Sequence, residues 1–350
     1  MPGSTSDQQP GIRSQAKKQL IMIKKLFKSL IRPGLSAFMK VLTGINLISF
    51  PAYAGTDQRS SIIHDDLERT FHVYIPSSFD KSEMRPLVIA LHGRGTNGEG
   101  MILVTRKGFD KLADKDGFIV VYPDGIELNW NDGRIDEEAE DRAHRENIDD
   151  VGFISALIDY MIRDYNIDPK RVYVTGISNG AVMVYRLGCE LSGKITAIAP
   201  VDGNIPSTSN PECALKRHVS VLAINNVDDP VVPFEGGEIY SHFHRVKLGR
   251  VMSADGSTGL WVKRNGCSPV PVITEEPDRD PHDGTRVTRR EYMNSDDGTE
   301  VILYSIDGGG HTWPGGFQYM PAWIIGKTSR DIDASEVIWL FFKRHQMAGD

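Results

Sequence analysis

An α/β fold built on one mostly parallel central sheet, with helices on both faces, is the architecture this sequence predicts. Three observations predict it. From residue 71 onward, short β-branched runs alternate with longer stretches whose apolar residues recur every three or four positions. The runs PLVIALHG (86–93), FIVVYP (118–123), RVYVTGISNG (171–180), ITAIAP (195–200) and VSVLAIN (219–225) are largely apolar without strict alternation, as strands covered on both faces must be. No Pro/Gly/Ser-rich linker and no internal repeat divides the chain, so residues 55–350 read as one domain.

Each element has its own reason. FHVYI (71–75) reads as an antiparallel leading strand, and 86–93 as a buried strand ending in a Gly-rich turn. A helix around 101–114 stops at Lys115-Asp116-Gly117, ahead of strand 118–123. The polar stretch 124–147, with its acidic run 136–141, is a loop of the length that in compact domains carries function. Asp149 or Asp150 caps the amphipathic helix VGFISALIDYMIRDY (151–165). Strand 171–177 runs directly into a turn and a second helix. TEVILYSI (299–306) is a further strand, and SEVIWLFFKRH (335–345) the closing helix. The charged segment 275–298 reads as a polar hairpin insertion.

The charge of the 350-residue chain, 40 Lys plus Arg against 47 Asp plus Glu, is distributed unevenly. Residues 1–54 hold eight basic residues and one acid, followed near their end by the apolar run VLTGINLISF and by Pro51-Ala52-Tyr53-Ala54, an A-x-A cleavage pattern. The expectation is a signal peptide over 1–54, cleaved after Ala54, and a secreted or periplasmic product. An apolar run of ten residues is well short of the roughly 20 that span a bilayer, so no permanent membrane span is expected. Residues 55–350 then carry 32 basic and 46 acidic side chains, a net charge of −14 that argues against a nucleic-acid partner. The three cysteines, Cys189, Cys213 and Cys267, allow one bridge and leave one thiol. Cys189 falls on an apolar helical pattern and reads as a buried thiol, so the expected bridge is Cys213–Cys267. With no C-x-x-C and only a lone His242-x-His244, no metal site and no cofactor are expected.

Gly176-Ile177-Ser178-Asn179-Gly180 places a serine in a G-x-S-x-G turn between strand and helix, where the flanking glycines let neighbouring backbone approach a strained nucleophile. A serine needs a base and an acid to orient that base, in the order Ser, Asp, His for such a turn. Asp229 and its neighbour Asp228 follow strand 219–225; Pro230 biases Asp229 toward extended geometry and favours it. Of six histidines after the serine, only His311 directly follows a core strand, within the glycine-rich loop 308–316. The N–H groups of Asn179 and Arg94 are the expected oxyanion donors. His92 precedes the serine and is assigned a structural hydrogen bond. Trp130 and Trp313 are candidates to line the substrate pocket, with core packing as the rival role.

LHGRGTNGEG (91–100), YPDG (122–125), Trp130-Asn131, NIDDVGF (147–153), RVYVTGISNG, DPVVPFEGG (229–237), LWVKRNGC (260–267) and GGGHTWPGG (308–316) occur in an order and spacing that resembles the secreted polyhydroxybutyrate depolymerase and feruloyl esterase family of α/β-hydrolases, over about residues 70–345. The resemblance implies carboxylic-ester hydrolysis through an acyl-enzyme, with Ser178, Asp229 and His311 as the triad. It implies small or oligomeric esters as substrates, either plant polysaccharide esters or hydroxyalkanoate oligomers. The chain departs from the family at Asn225-Asn226, where relatives carry His-Gly, and at Ala181, where a second glycine is common. The alternatives are a peptidase or acyltransferase on the same fold, and a non-catalytic binding protein that keeps the scaffold.

Overall fold

The computed structural model describes residues 55–134, 141–207, 213–240, 247–294 and 296–348. The expected signal peptide, residues 136–140 of the acidic run, and His242 and His244 lie outside them. The strands are β1 (Thr56–His64), β2 (Leu67–Ile75), β3 (Arg85–Leu91), β4 (Ile119–Pro123), β5 (Ile167–Ile177), β6 (Ala197–Val201), β7 (Ser220–Asn226), β8 (Gly237–Tyr240), β9 (Lys247–Val251), β10 (Val272–Glu275), β11 (Arg286–Met293) and β12 (Glu300–Asp307). Ten of them form one sheet in the order β1-β2-β4-β3-β5-β6-β7-β12-β11-β10, and β8 pairs with β9 as a separate hairpin. The six strands from β4 to β12 run parallel; β1 and β2 on one side, and β11 and β10 on the other, are antiparallel.

The predicted parallel sheet therefore forms, and its flanks are wider than expected. The segment expected as an insertion extends the sheet instead: β11 pairs along its whole length with β12 and carries β10 as the edge strand. β1 was not anticipated: TDQRSSIIH carries no apolar alternation and is held by nine-residue backbone pairing with β2.

Side chains on the core strands point alternately to two apolar layers. Leu87, Ile89 and Leu91 face one layer; Val88 and Ala90 face the other. Besides the single-turn helix Arg142–Arg145 and the 3-10 turn Ile126–Leu128, the helices of the described residues are α1 (Gly98–Val104), α2 (Gly108–Asp116), α3 (Asp150–Tyr165), α4 (Asn179–Glu190), α5 (Ala254–Arg264), α6 (Ala322–Ile325) and α7 (Ala334–Phe342). The layer under α3, α4 and α5 receives Phe153, Leu157, Met183, Leu187 and Trp261. The layer under α1, α2 and α7 receives Met101, Phe109, Ile338 and Phe342. The single helix expected over 101–114 is two, because Arg106 and Lys107 take left-handed φ of 54° and 58° and break it. Among the described residues no helix is long and apolar enough to cross a membrane.

The disulfide differs from the expected one. Cys189 and Cys213 are bonded, with Cα atoms 5.4 Å apart, and Cys267 is the buried free thiol. Met183, Val184 and Leu187 supply the buried face of α4, while Cys189 is only half-buried at the helix's end, where the segment that follows can reach it. Cys267 instead packs against the core, its thiol directed at the Thr299 carbonyl 3.7 Å away. All parallel strands release their chain at the same sheet edge, where α/β folds bind ligands. There β3 leads to His92–Arg94, β5 to Ser178, β6 to Asp202, β7 to Asp229 and β12 to His311.

Candidate active site

Ser178 takes φ 60° and ψ −124°, a region avoided by residues with a Cβ and a store of local strain. Its surroundings enforce it. A Cβ at Gly176 would lie 2.9 Å from both the Leu91 side chain and the Leu91 carbonyl, and one at Gly180 would lie 2.5 Å from the His92 carbonyl. These two glycines let β3 pass close beneath the turn, while Ser178 N–H bonds the Val201 carbonyl of β6 at 3.0 Å. The serine stands at the start of α4, half-buried, with the backbone of Gly93 alongside: a Cβ there would lie 3.3 Å from Ser178 Cβ.

His311 and Asp229 meet on the same edge, His311 Nδ1 lying 2.7 Å from Asp229 Oδ2. The other carboxylate oxygen of Asp229 accepts from Val231 and Val232 N–H at 2.7 and 2.9 Å, fixing the acid by its own turn. Asp228 is exposed and accepts from Gly308 N–H at 2.7 Å, a bond that shapes the histidine loop. The His311 main chain is held at both ends, its N–H by the Ile325 carbonyl (2.6 Å) and its carbonyl by the Tyr319 hydroxyl (2.8 Å). Burial disfavours the imidazolium, but the charge and hydrogen bond of Asp229, with the charge of Asp202, outweigh it and raise the His311 pKa.

Asp202 was not singled out from the sequence. It is fully buried at the end of β6, with a left-handed φ of 49°. One oxygen accepts from Asn226 N–H and Nδ2, both at 2.9 Å; the other accepts from Asn226 Nδ2 at 2.8 Å and from Thr312 N–H at 3.0 Å. Asn226 Nδ2 also reaches the Thr312 carbonyl at 3.2 Å, so the peptide groups of the residue after His311 are gripped by this pair. The departure at Asn226 thus supplies a clamp. Burial and the nearby Asp229 push the Asp202 carboxyl up. The only signal in the sequence is a carboxylate closing a parallel strand.

The expected oxyanion donors belong to the turns that follow β5 and β3 at the same sheet edge. Neither Asn179 N–H nor Arg94 N–H has a hydrogen-bond partner among the described residues. The Asn179 side chain clasps Trp130: Oδ1 accepts from Trp130 N–H at 2.9 Å, and Nδ2 donates to the Trp130 carbonyl at 3.1 Å and to Asp132 Oδ2 at 2.6 Å. His92 is structural. Its Nε2 accepts from Gly125 N–H at 2.9 Å, which leaves Nδ1 to donate to the Gly93 carbonyl at 2.8 Å, and burial lowers its pKa to about 4, so it is neutral.

Trp130 and Trp313 do not line a pocket; both are fully buried. Trp130 lies beneath the His92 turn, its Nε1 donating to the His92 carbonyl at 2.9 Å. Trp313 points into the other layer, edge-on to Phe109, with Nε1 bonded to Ser335 Oγ at 3.1 Å. An indole N–H is satisfied inside a core as readily as at its surface, which makes the two roles indistinguishable in sequence.

Part of the long polar loop is a buried ionic cluster. Arg134 and His144 bond Asp132, and His144 also bonds Asp141 at 2.8 Å. Burial opposes the Asp132 charge, yet Arg134 and His144 hold its carboxyl well below the usual range. His144 rises to about 9, because its bonds to Asp132 and Asp141 overcome burial. Asp202, Asp229 and His311 are close enough to share a cation, as are His64, Asp65 and Asp149. In the first group the facing lone pairs are engaged by Asn226, Thr312 and the His311–Asp229 bond. In the second, Asp149 caps α3 and bonds His64 at 3.0 Å.

The phospholipase/carboxylesterase family matches residues 78–255, a span that contains Ser178, Asp202 and Asp229. NocK of Nocardia uniformis subsp. tsuyamanensis, assigned to the esterases, is 30% identical over 266 residues, covering 73% of each chain. Feruloyl esterase B of Piromyces equi is 30% identical over 246 residues, 68% of this chain and 42% of that protein. The bifunctional acetylxylan esterase/xylanase XynS20E of Neocallimastix patriciarum is 30% identical over 200 residues, 56% of this chain and 27% of that protein. The chain thus spans less than half the length of these two relatives. Among solved structures, a thermostable esterase superposes with a TM-score of 0.49 at 15% identity, over 83% of this chain and 63% of that one. A family match across more than half of the chain, joined by a relative of 30% identity that it spans for 73% of both lengths, makes this protein a member of the phospholipase/carboxylesterase family of α/β-hydrolases, a carboxylic-ester hydrolase.

Proposed function

We propose that the protein is an exported serine esterase that cleaves ester groups from plant polysaccharides through an acyl-enzyme. His311 takes the proton of Ser178 as Oγ attacks the ester carbonyl, and the N–H groups of Asn179 and Arg94 hold the resulting oxyanion. Collapse expels the alcohol, which leaves with the proton from His311, and water activated by His311 then releases the acid. Asp229 keeps the His311 ring in the tautomer that presents its other nitrogen to the serine. The observation that carries this reading is the strained Ser178 turn, at φ 60° and ψ −124°, on the sheet edge that also holds the 2.7 Å His311–Asp229 pair.

Polysaccharide esters are favoured because relatives named for acetylxylan and feruloyl esters share 30% identity with this chain. Residues 1–54 act as the leader, cleaved after Ala54, and the Cys189–Cys213 bridge suits an oxidising compartment. N-terminal sequencing of the exported protein is expected to begin at Gly55.

Ser178→Ala tests the mechanism. Its kcat on p-nitrophenyl acetate is expected to fall by about 10³-fold or more while the circular dichroism spectrum is kept; retained activity sinks the assignment. A panel of methyl ferulate, acetylated xylan and hydroxybutyrate oligomers ranks the substrate, and a preference for the last would replace the polysaccharide reading.

A further inference from the structure

With Trp130 and Trp313 buried, the aromatic surface at this edge lies elsewhere. Residues 310–327 form a compact loop whose ends meet at its neck, Gly310 N–H bonding the Lys327 carbonyl at 2.9 Å. Outside the buried Trp313, the loop displays Phe317, Tyr319 and Trp323 to solvent, with exposures of 45%, 36% and 85%.

The loop is braced, not slack. Gln318 Nε2 donates to the carbonyls of Met320 (2.8 Å) and Gly326 (3.0 Å), and its Oε1 accepts from Thr328 N–H at 2.9 Å. Phe317 N–H is tied to the Val104 carbonyl at 2.9 Å, and Ile325 anchors α6 in the protein at 2% exposure. An indole in water contributes little to folding, and three exposed aromatic side chains on one braced loop make apolar surface of the kind that marks a contact site. The frame is shared with the base. His311 donates to the Ile325 carbonyl and accepts from the Tyr319 hydroxyl, so Trp323 is two residues, at most about 7 Å of main chain, from a direct partner of His311.

We propose that Trp323 is the stacking platform of a sugar subsite beside the catalytic centre, on which a pyranose ring of an esterified polysaccharide lies while its ester reaches Ser178. This rests on the polysaccharide-ester reading of the substrate. The chemistry of the loop selects the occupant. Between Gly316 and Lys327 the only charged residue is Lys327, so the face suits an uncharged ligand. The flat indole matches the flat C–H face of a ring, which an aliphatic polyester lacks.

The test compares polymeric and small substrates in Trp323→Ala and Trp323→Phe. Replacing this exposed side chain leaves the core intact, so kcat/KM on p-nitrophenyl acetate is expected to stay within twofold of wild type. On acetylated or feruloylated xylan, Trp323→Ala is expected to lose about three- to tenfold in kcat/KM through KM, with Trp323→Phe recovering most of it. Equal activity of wild type and Trp323→Ala on the polymer overturns the platform and leaves the esterase reading standing. A parallel loss on p-nitrophenyl acetate also overturns it, as does a loss confined to hydroxybutyrate oligomers. A wild-type enzyme that cleaves p-nitrophenyl acetate but no xylan ester overturns the substrate reading, and the platform with it.

Discussion

Asn179→Ala isolates the part of the site that sequence patterns do not reveal, the clasp between the serine turn and the polar loop. The substitution keeps the backbone N–H assigned to the oxyanion but removes two bonds to the Trp130 peptide (2.9 and 3.1 Å) and one to Asp132 (2.6 Å), all inside the protein. Each neutral bond is worth about 1 kcal/mol net, and one to a charged group about 1.5–3 kcal/mol. Asp132 retains Arg134 and His144, so its remaining charge is compensated and the lower figure applies. Adding partial desolvation of the orphaned Trp130 N–H gives about 4 kcal/mol. For a domain of this size that corresponds to a fall in Tm of about 8 °C. Because the clasp also fixes the tilt of the first turn of α4, kcat on p-nitrophenyl acetate is expected to drop about tenfold with KM little changed. Differential scanning calorimetry and steady-state kinetics read the two effects. A Tm within 2 °C of wild type together with unchanged kcat would refute the claim that the clasp supports the turn.

Two further outcomes follow from the disulfide and the buried cluster. Thiol titration in denaturant is expected to find one thiol before reduction, Cys267, and three after; reduction, by opening a bridge between residues 24 apart in sequence, should cost about 3 kcal/mol of stability. For His144, the pKa is raised from 6.5 to about 9, so its contribution of up to about 3 kcal/mol is whole below pH 6.5 and is lost as pH rises through 9. Melting curves of wild type should therefore decline across that window, and His144→Gln should remove most of the decline.

The parallel core was legible because burial on both faces leaves a mark: runs such as LVIAL and YVTGI cannot be anything cheaper than interior strands. The serine turn was legible for a related reason, since Gly176 and Gly180 are required by the approach of β3 and leave a fixed spacing. Elements held by their backbones were not. β1 is polar and exposed, and β10 with β11 is charged, because a strand at a sheet edge is fixed by pairing and needs no apolar pattern. The disulfide and the tryptophans failed for another reason. Helical periodicity marks Cys189 as apolar without showing that it sits at the flank of α4, and composition cannot tell an indole under a turn from one facing a ligand. Asp202 and the Asn226 clamp depend on three strand ends meeting at one edge, which only the folded sheet brings about.

Labelling with a fluorophosphonate, with the adduct mapped by mass spectrometry, shows whether Ser178 is the nucleophile that His311 activates. The tryptic peptide from Val172 to Arg186 carries this serine and no other. The wild-type protein is expected to give a single adduct on that peptide, lost in Ser178→Ala and strongly slowed in His311→Ala. An adduct on a different peptide, or undiminished labelling of Ser178→Ala, would contradict it.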